Sequence, residues 1–114
     1  MNNLKEYLPS IIESLKNVDP YRIYLFGSVA GGQEKENSDI DLVVILDTNS
    51  SPKSYDERLE NKLIVRDAIL DISMEVAIDL LVYSKSEFIK LKKINKPFAA
   101  EIINKGSLIY EKVS

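Results

Sequence analysis

Two aspartates flanking one isoleucine, Asp39-Ile40-Asp41, stand at the head of an apolar run from Leu42 to Leu46. The run is short and rich in β-branched residues, so it reads as a strand over 39–46. Alternate side chains of a strand share a face, which aims Asp39 and Asp41 together, about 6.5–7 Å apart. A third aspartate, Asp79, interrupts a second apolar run from Val76 to Val82. That run predicts a strand over 76–83 with Val76, Ile78, Leu80 and Val82 on one face and Asp79 on the other. Read as a buried central strand, it would place Asp79 where an unpaired carboxylate costs several kcal/mol. Asp79 then needs a partner, either Arg22, Arg58 or Arg66, or a divalent cation shared with Asp39 and Asp41.

The chain of 114 residues has neither cysteine nor histidine. Disulfides, zinc knuckles, thiol nucleophiles and imidazole bases are therefore excluded. A metal here must be held by oxygen ligands, which favours Mg²⁺, Mn²⁺ or Ca²⁺. Three convergent carboxylates suit a two-metal site for phosphoryl transfer. The bland alternative for Asp39 and Asp41 is a strand edge in water.

The elements around these acids predict a small α/β (α+β) layer: a mixed sheet with helices packed against it, as one domain over 1–114. Leu4, Leu8, Ile11, Ile12 and Leu15 recur at helical spacing, predicting a helix over 3–17 that Pro9 either kinks or begins. Asp19-Pro20 marks a turn, followed by a strand over 21–26. Three of the four glycines, Gly27, Gly31 and Gly32, follow that strand, where the backbone turns tightly or approaches something closely. Residues 47–54 form a loop. Tyr55, Leu59, Leu63 and Leu70, with Ile64 and Ala68 beside them, predict a helix over 56–70. Ser84 and Glu87 have capping-box spacing for the next helix. Pro97 divides that helix from another ending at Gly106, and Ser107 to Glu111 predict a last strand.

Gly27-Ser28 has two readings. Its backbone N–H groups and the Ser28 hydroxyl can face a phosphate, or the pair is a glycine turn with a serine N-cap. The net charge is −3, and Lys90, Lys92, Lys93 and Lys96 form the one local basic cluster, read as a solvated helix face. No direct nucleic-acid binding is expected from so little concentrated positive charge. The lack of a long apolar run or a signal-peptide pattern predicts no membrane association and a cytoplasmic location.

The combined pattern Gly27-Ser28, ten residues, Asp39-Ile40-Asp41 resembles the signature of the DNA polymerase β-like nucleotidyltransferase superfamily. The fuller strings Leu25-Phe26-Gly27-Ser28-Val29-Ala30-Gly31-Gly32 and Asn37-Ser38-Asp39-Ile40-Asp41-Leu42-Val43-Val44 look like its smallest members, the minimal nucleotidyltransferases. The resemblance spans nearly the whole chain, including the ending Lys105-Gly106-Ser107-Leu108-Ile109-Tyr110-Glu111. It implies transfer of AMP from Mg²⁺-ATP (or Mn²⁺-ATP) with pyrophosphate leaving. It places Gly27 and Ser28 at the triphosphate, gives Asp39 and Asp41 both metal ions, and makes Asp79 a ligand of the catalytic metal that helps deprotonate the acceptor hydroxyl. The implied partner is a HEPN-domain toxin encoded nearby, whose tyrosine accepts AMP and whose RNase activity is silenced. One departure stands out: members commonly carry Arg where this chain has Gly31. That change keeps open a module that neutralises its partner by binding alone. A small-molecule nucleotidyltransferase is the third reading.

Overall fold

A computed structural model describes residues 4–26, 40–48, 53–94, 97 and 106–113. Four strands, β1 (Pro20–Phe26), β2 (Ile40–Leu46), β3 (Ile78–Ser84) and β4 (Ser107–Glu111), form one mixed sheet in the order β3-β2-β1-β4. β1 lies antiparallel to both β2 and β4, and β2 runs parallel to β3. A parallel pair requires a crossover connection. Helix α2 (Tyr55–Ala68) and the single turn α3 (Leu70–Ser73) lie between β2 and β3 in the chain and supply it.

The two sheet faces carry different cores. On one, Ile23, Leu25, Ile40, Leu42, Val44, Leu80 and Val82 pack with Ile11 and Leu15 of α1 (Leu8–Leu15), with Val65 of α2 and with Ile69. On the other, Tyr24, Val43 and Ile45 pack under Phe88 of α4 (Lys85–Ile94). Phe88 is almost fully buried, with its ring centroid 6.2 Å from that of Tyr24. Strand residues thus alternate between two covered faces, which is why β2 reads as a continuous apolar run.

The first helix is shorter than the periodicity over 3–17 predicts. Residues Leu4–Tyr7 and Lys16–Val18 form 3₁₀ turns, and Pro9 sits in the first turn of α1, where its missing N–H costs nothing. Asp19 closes the segment with φ 54°, a left-handed conformation that aspartate tolerates better than most residues. The capping box is present in full. The Ser84 N–H donates to Glu87 Oε1 at 2.9 Å, and the Glu87 N–H donates to Ser84 Oγ at 3.0 Å.

The helix expected over 56–70 is present as α2 (Tyr55–Ala68); the residues that marked it, Tyr55, Leu59, Leu63 and Leu70, are exposed, and the burial in this segment falls on Val65 and Ile69. One expectation is corrected. The third strand begins two residues later than predicted and lies at the edge of the sheet. Asp79 and Leu81 are exposed between buried Leu80 and Val82, so Asp79 is not a buried acid in a central strand. Its one-sided alternation is that of an edge strand packed on a single face. The second helix expected between Pro97 and Gly106 falls mostly outside the described residues.

Candidate active site

The parallel register pairs Asp41 of β2 directly with Asp79 of β3, and the alignment is secured just before it where the Ile40 N–H donates to Ala77 O at 2.9 Å. Residues paired across neighbouring strands point to the same face, with backbones about 4.8 Å apart. Both acids occupy the second position of their strands, so they meet at one end of the sheet. On the other side of Asp41 its antiparallel partner is Phe26, the last residue of β1. Gly27 and Ser28 follow Phe26 in sequence, and Asp39 precedes Ile40; all three lie outside the described residues, as does Gly31. Of the five residues singled out from sequence, the structure therefore places two, Asp41 and Asp79, and places them side by side.

The face they share is the one that α4 covers at its other end. Along β1 it carries Tyr24 and Phe26, along β2 Asp41, Val43 and Ile45, and along β3 Asp79, Leu81 and Tyr83. Phe88 of α4 caps the middle, and burial beneath this helix pushes the Tyr83 hydroxyl above its ordinary pKa, with Arg58 opposing and Glu87 adding to the shift. Asp41 is half-buried and Asp79 exposed.

The arginines considered as partners for Asp79 are engaged elsewhere or exposed. Arg22 Nε donates to Glu111 Oε2 at 2.9 Å and its Nη1 to the Tyr24 hydroxyl at 3.0 Å. Arg58 pairs with Glu87, and Arg66 is exposed. Among the described residues no lysine or arginine forms an ion pair with Asp79. Adjacent like charges repel, and a hard divalent cation between them turns that repulsion into attraction. An all-oxygen pair in a chain without histidine or cysteine fits Mg²⁺ or Mn²⁺. No group of three or more potential metal-binding side chains occurs among the described residues.

Sequence reasoning missed Phe26 as the neighbour of Asp41, although its place immediately before Gly27 was the available signal. It also missed that Leu81 stands exposed beside Asp79, which follows from the edge position of β3. Among the described residues no helix is long and apolar enough to cross a membrane.

Several solved structures share this fold. A candidate nucleotidyltransferase from Sulfolobus solfataricus is 18% identical with a TM-score of 0.54, over 96% of this chain and 78% of that one. A toxin–antitoxin complex with AMP-PNP is 20% identical with a TM-score of 0.54, over 98% of this chain and 75% of that one. A mutant of the MntA–HpeT toxin–antitoxin, with two Asp→Glu changes two positions apart, is 18% identical with a TM-score of 0.53 over the same shares, 98% and 75%. No curated protein matches the chain significantly. The family described as Polymerase beta, Nucleotidyltransferase matches residues 9–114, nearly the whole length. With its mixed sheet and paired strand-end aspartates, the chain belongs to the polymerase beta nucleotidyltransferase family.

Proposed function

We propose that the chain is a Mg²⁺-dependent nucleotidyltransferase that moves AMP from ATP to a tyrosine hydroxyl of a cognate HEPN toxin and thereby acts as its antitoxin. The observation that carries this reading is the in-register pairing of Asp41 with Asp79 at the strand ends next to Phe26. The toxin–antitoxin neighbours, one with a bound ATP analogue and one altered at two closely spaced aspartates, support the choice of nucleotide and partner.

In this reading Asp39, Asp41 and Asp79 hold the metal, and Gly27 and Ser28 receive the triphosphate through backbone N–H groups and a hydroxyl. Bound Mg²⁺ would neutralise the phosphate charge and lower the pKa of a coordinated oxygen. The phenolic oxygen of the acceptor attacks the α-phosphorus. An oxygen–phosphorus bond forms, the bond to the leaving pyrophosphate breaks, and the phenolic proton passes to the Asp79 carboxylate and then to water. Asp79 suits that role because it is the exposed member of the pair, on the outer strand, where an acceptor can reach it.

The test is transfer of label from α-labelled ATP, with Mg²⁺, to the HEPN protein encoded beside this chain, using Asp41→Asn as control. Label on the partner that disappears with the variant supports the proposal. A complex that neutralises the toxin without labelling it selects the binding module instead, the reading favoured by Gly31 where the family resemblance leads one to expect arginine. Label found only on small hydroxyl compounds selects the small-molecule enzyme.

A further inference from the structure

Strand β3 presents one row of side chains in the order Asp79, Leu81, Tyr83, and the three differ sharply in what covers them. Tyr83 packs against the cluster beneath α4. Leu81 is 51% exposed, although Val43, its partner on β2, is only 4% exposed. Edge strands are ordinarily blunted by charge or proline, and a lone polar residue at position 81 would meet that need. Instead a large apolar side chain stands one same-face step, about 6.5–7 Å, from Asp79.

That step is the span over which a reacting hydroxyl must be supported. A tyrosine whose phenolic oxygen reaches Asp79 has to lay its ring, or the residues beside it, over neighbouring surface. The triphosphate makes no use of an apolar contact, and its expected ligands Gly27 and Ser28 follow in sequence on β1, the strand that lies on the opposite side of β2 from β3.

We propose that Leu81 is an acceptor-positioning residue: its side chain contacts the apolar body of the incoming tyrosine segment and holds the hydroxyl at Asp79. This rests on the adenylylating reading above and adds to it the side from which the protein acceptor enters, over the β3 edge.

The experiment measures KM for the HEPN partner and for ATP separately, with wild type, Leu81→Ser and Leu81→Met. Leu81→Ser should raise the partner's KM about tenfold, equivalent to about 1.4 kcal/mol, with the ATP KM within about twofold of wild type. Leu81→Met, which keeps volume and apolarity, should restore the partner's KM to within about twofold. Because the side chain is half-exposed, the melting temperature should stay within a few degrees. An unchanged partner KM overturns the inference. So does a matching rise in the ATP KM, which would assign Leu81 to the adenine, and so does a loss of kcat that tracks a fall in melting temperature. If wild type labels no partner, the adenylylating reading fails and this inference with it. If wild type labels its partner and Leu81→Ser does so with wild-type KM, this inference alone fails.

Discussion

The two ends of the sheet treat negative charge in opposite ways. Where β1 begins and β2 finishes, Asp19 and Asp47 share one lysine. Lys112 Nζ lies 2.8 Å from Asp19 Oδ1 and 2.6 Å from Asp47 Oδ2. The lysine is tethered by its own backbone N–H, which donates to Tyr21 O at 2.9 Å, and Lys85 Nζ adds a contact of 3.9 Å to Asp47. At the other end Asp41 and Asp79 stand directly across from each other, and among the described residues Asp79 has no cationic neighbour in an ion pair. The first end carries its cation in the chain. On the proposed function, the second is where a cation arrives with the nucleotide.

The comparison breaks most visibly at the second end. Asp41→Asn and Asp79→Asn should each lower AMP transfer about 10²–10³-fold, the scale for removing one charge-stabilising group from a preorganised site. Asp79→Asn should leave the melting temperature unchanged, because that side chain is exposed. Adding Mg²⁺ should raise the melting temperature of wild type and leave Asp41→Asn unmoved, since a ligand stabilises only the state that binds it. A variant that loses activity together with stability would mean these acids serve the fold, and the contrast between the two ends would vanish.

A smaller effect is expected at the start of α4, where a carboxylate is structural and well satisfied. Glu87 Oε1 accepts from the Ser84 N–H while its other oxygen meets Arg58. Glu87→Ala removes both and strands a buried N–H, for a cost of about 2–3 kcal/mol in urea unfolding. Ser84→Ala loses only the reciprocal cap, at about 1 kcal/mol. Equal losses from the two would show that the cap, and not the ion pair with Arg58, sets the stability of this junction.

Legibility followed sequence distance. The Ser84–Glu87 cap spans three residues and was readable as a motif, and the alternation in β3 gave its core face correctly. The acids were visible as types and spacings, but their pairing depends on β2 and β3 being parallel neighbours in register, which no local pattern encodes. The apolar spacing of Tyr55, Leu59 and Leu63 marked α2 as a helix, but period alone does not say which face meets the sheet: Val65 and Ile69 are buried, and Leu59 and Leu63 are exposed. Asp79 was misjudged because an apolar run was equated with a central strand. The Lys112 clasp had no signal at all, since it joins residues 93 and 65 positions apart.

That clasp offers the subtlest test, because its small effect is lost at both the acid and the alkaline extreme. The hydrogen bond from Lys112, partly offset by desolvation and aided by the charges of Lys112 and Lys85, holds the Asp47 carboxyl below its ordinary value of 3.8. A group whose folded pKa is depressed contributes stability that is fully present above the unfolded value and is lost as pH falls through the folded one. Lys112→Met should therefore be less stable than wild type above about pH 4, and that difference should shrink as pH falls below about 4 and Asp47 is protonated in both. Lys112 titrates in the opposite sense. Its hydrogen bonds to Asp19 and Asp47 raise it above 10.5, so its share persists below that value and disappears as pH rises through the folded pKa. Both shares are present near neutrality, so the difference from wild type is widest there; it is small because exposed ion pairs contribute weakly, and high salt should shrink it further because they are screened. Circular dichroism across pH at low and high salt reads all of this. A neutral-pH stability insensitive to Lys112→Met would leave the first end of the sheet with no charge-based stability from its clasp, and the contrast between the two ends would rest on the Asp41–Asp79 pair alone.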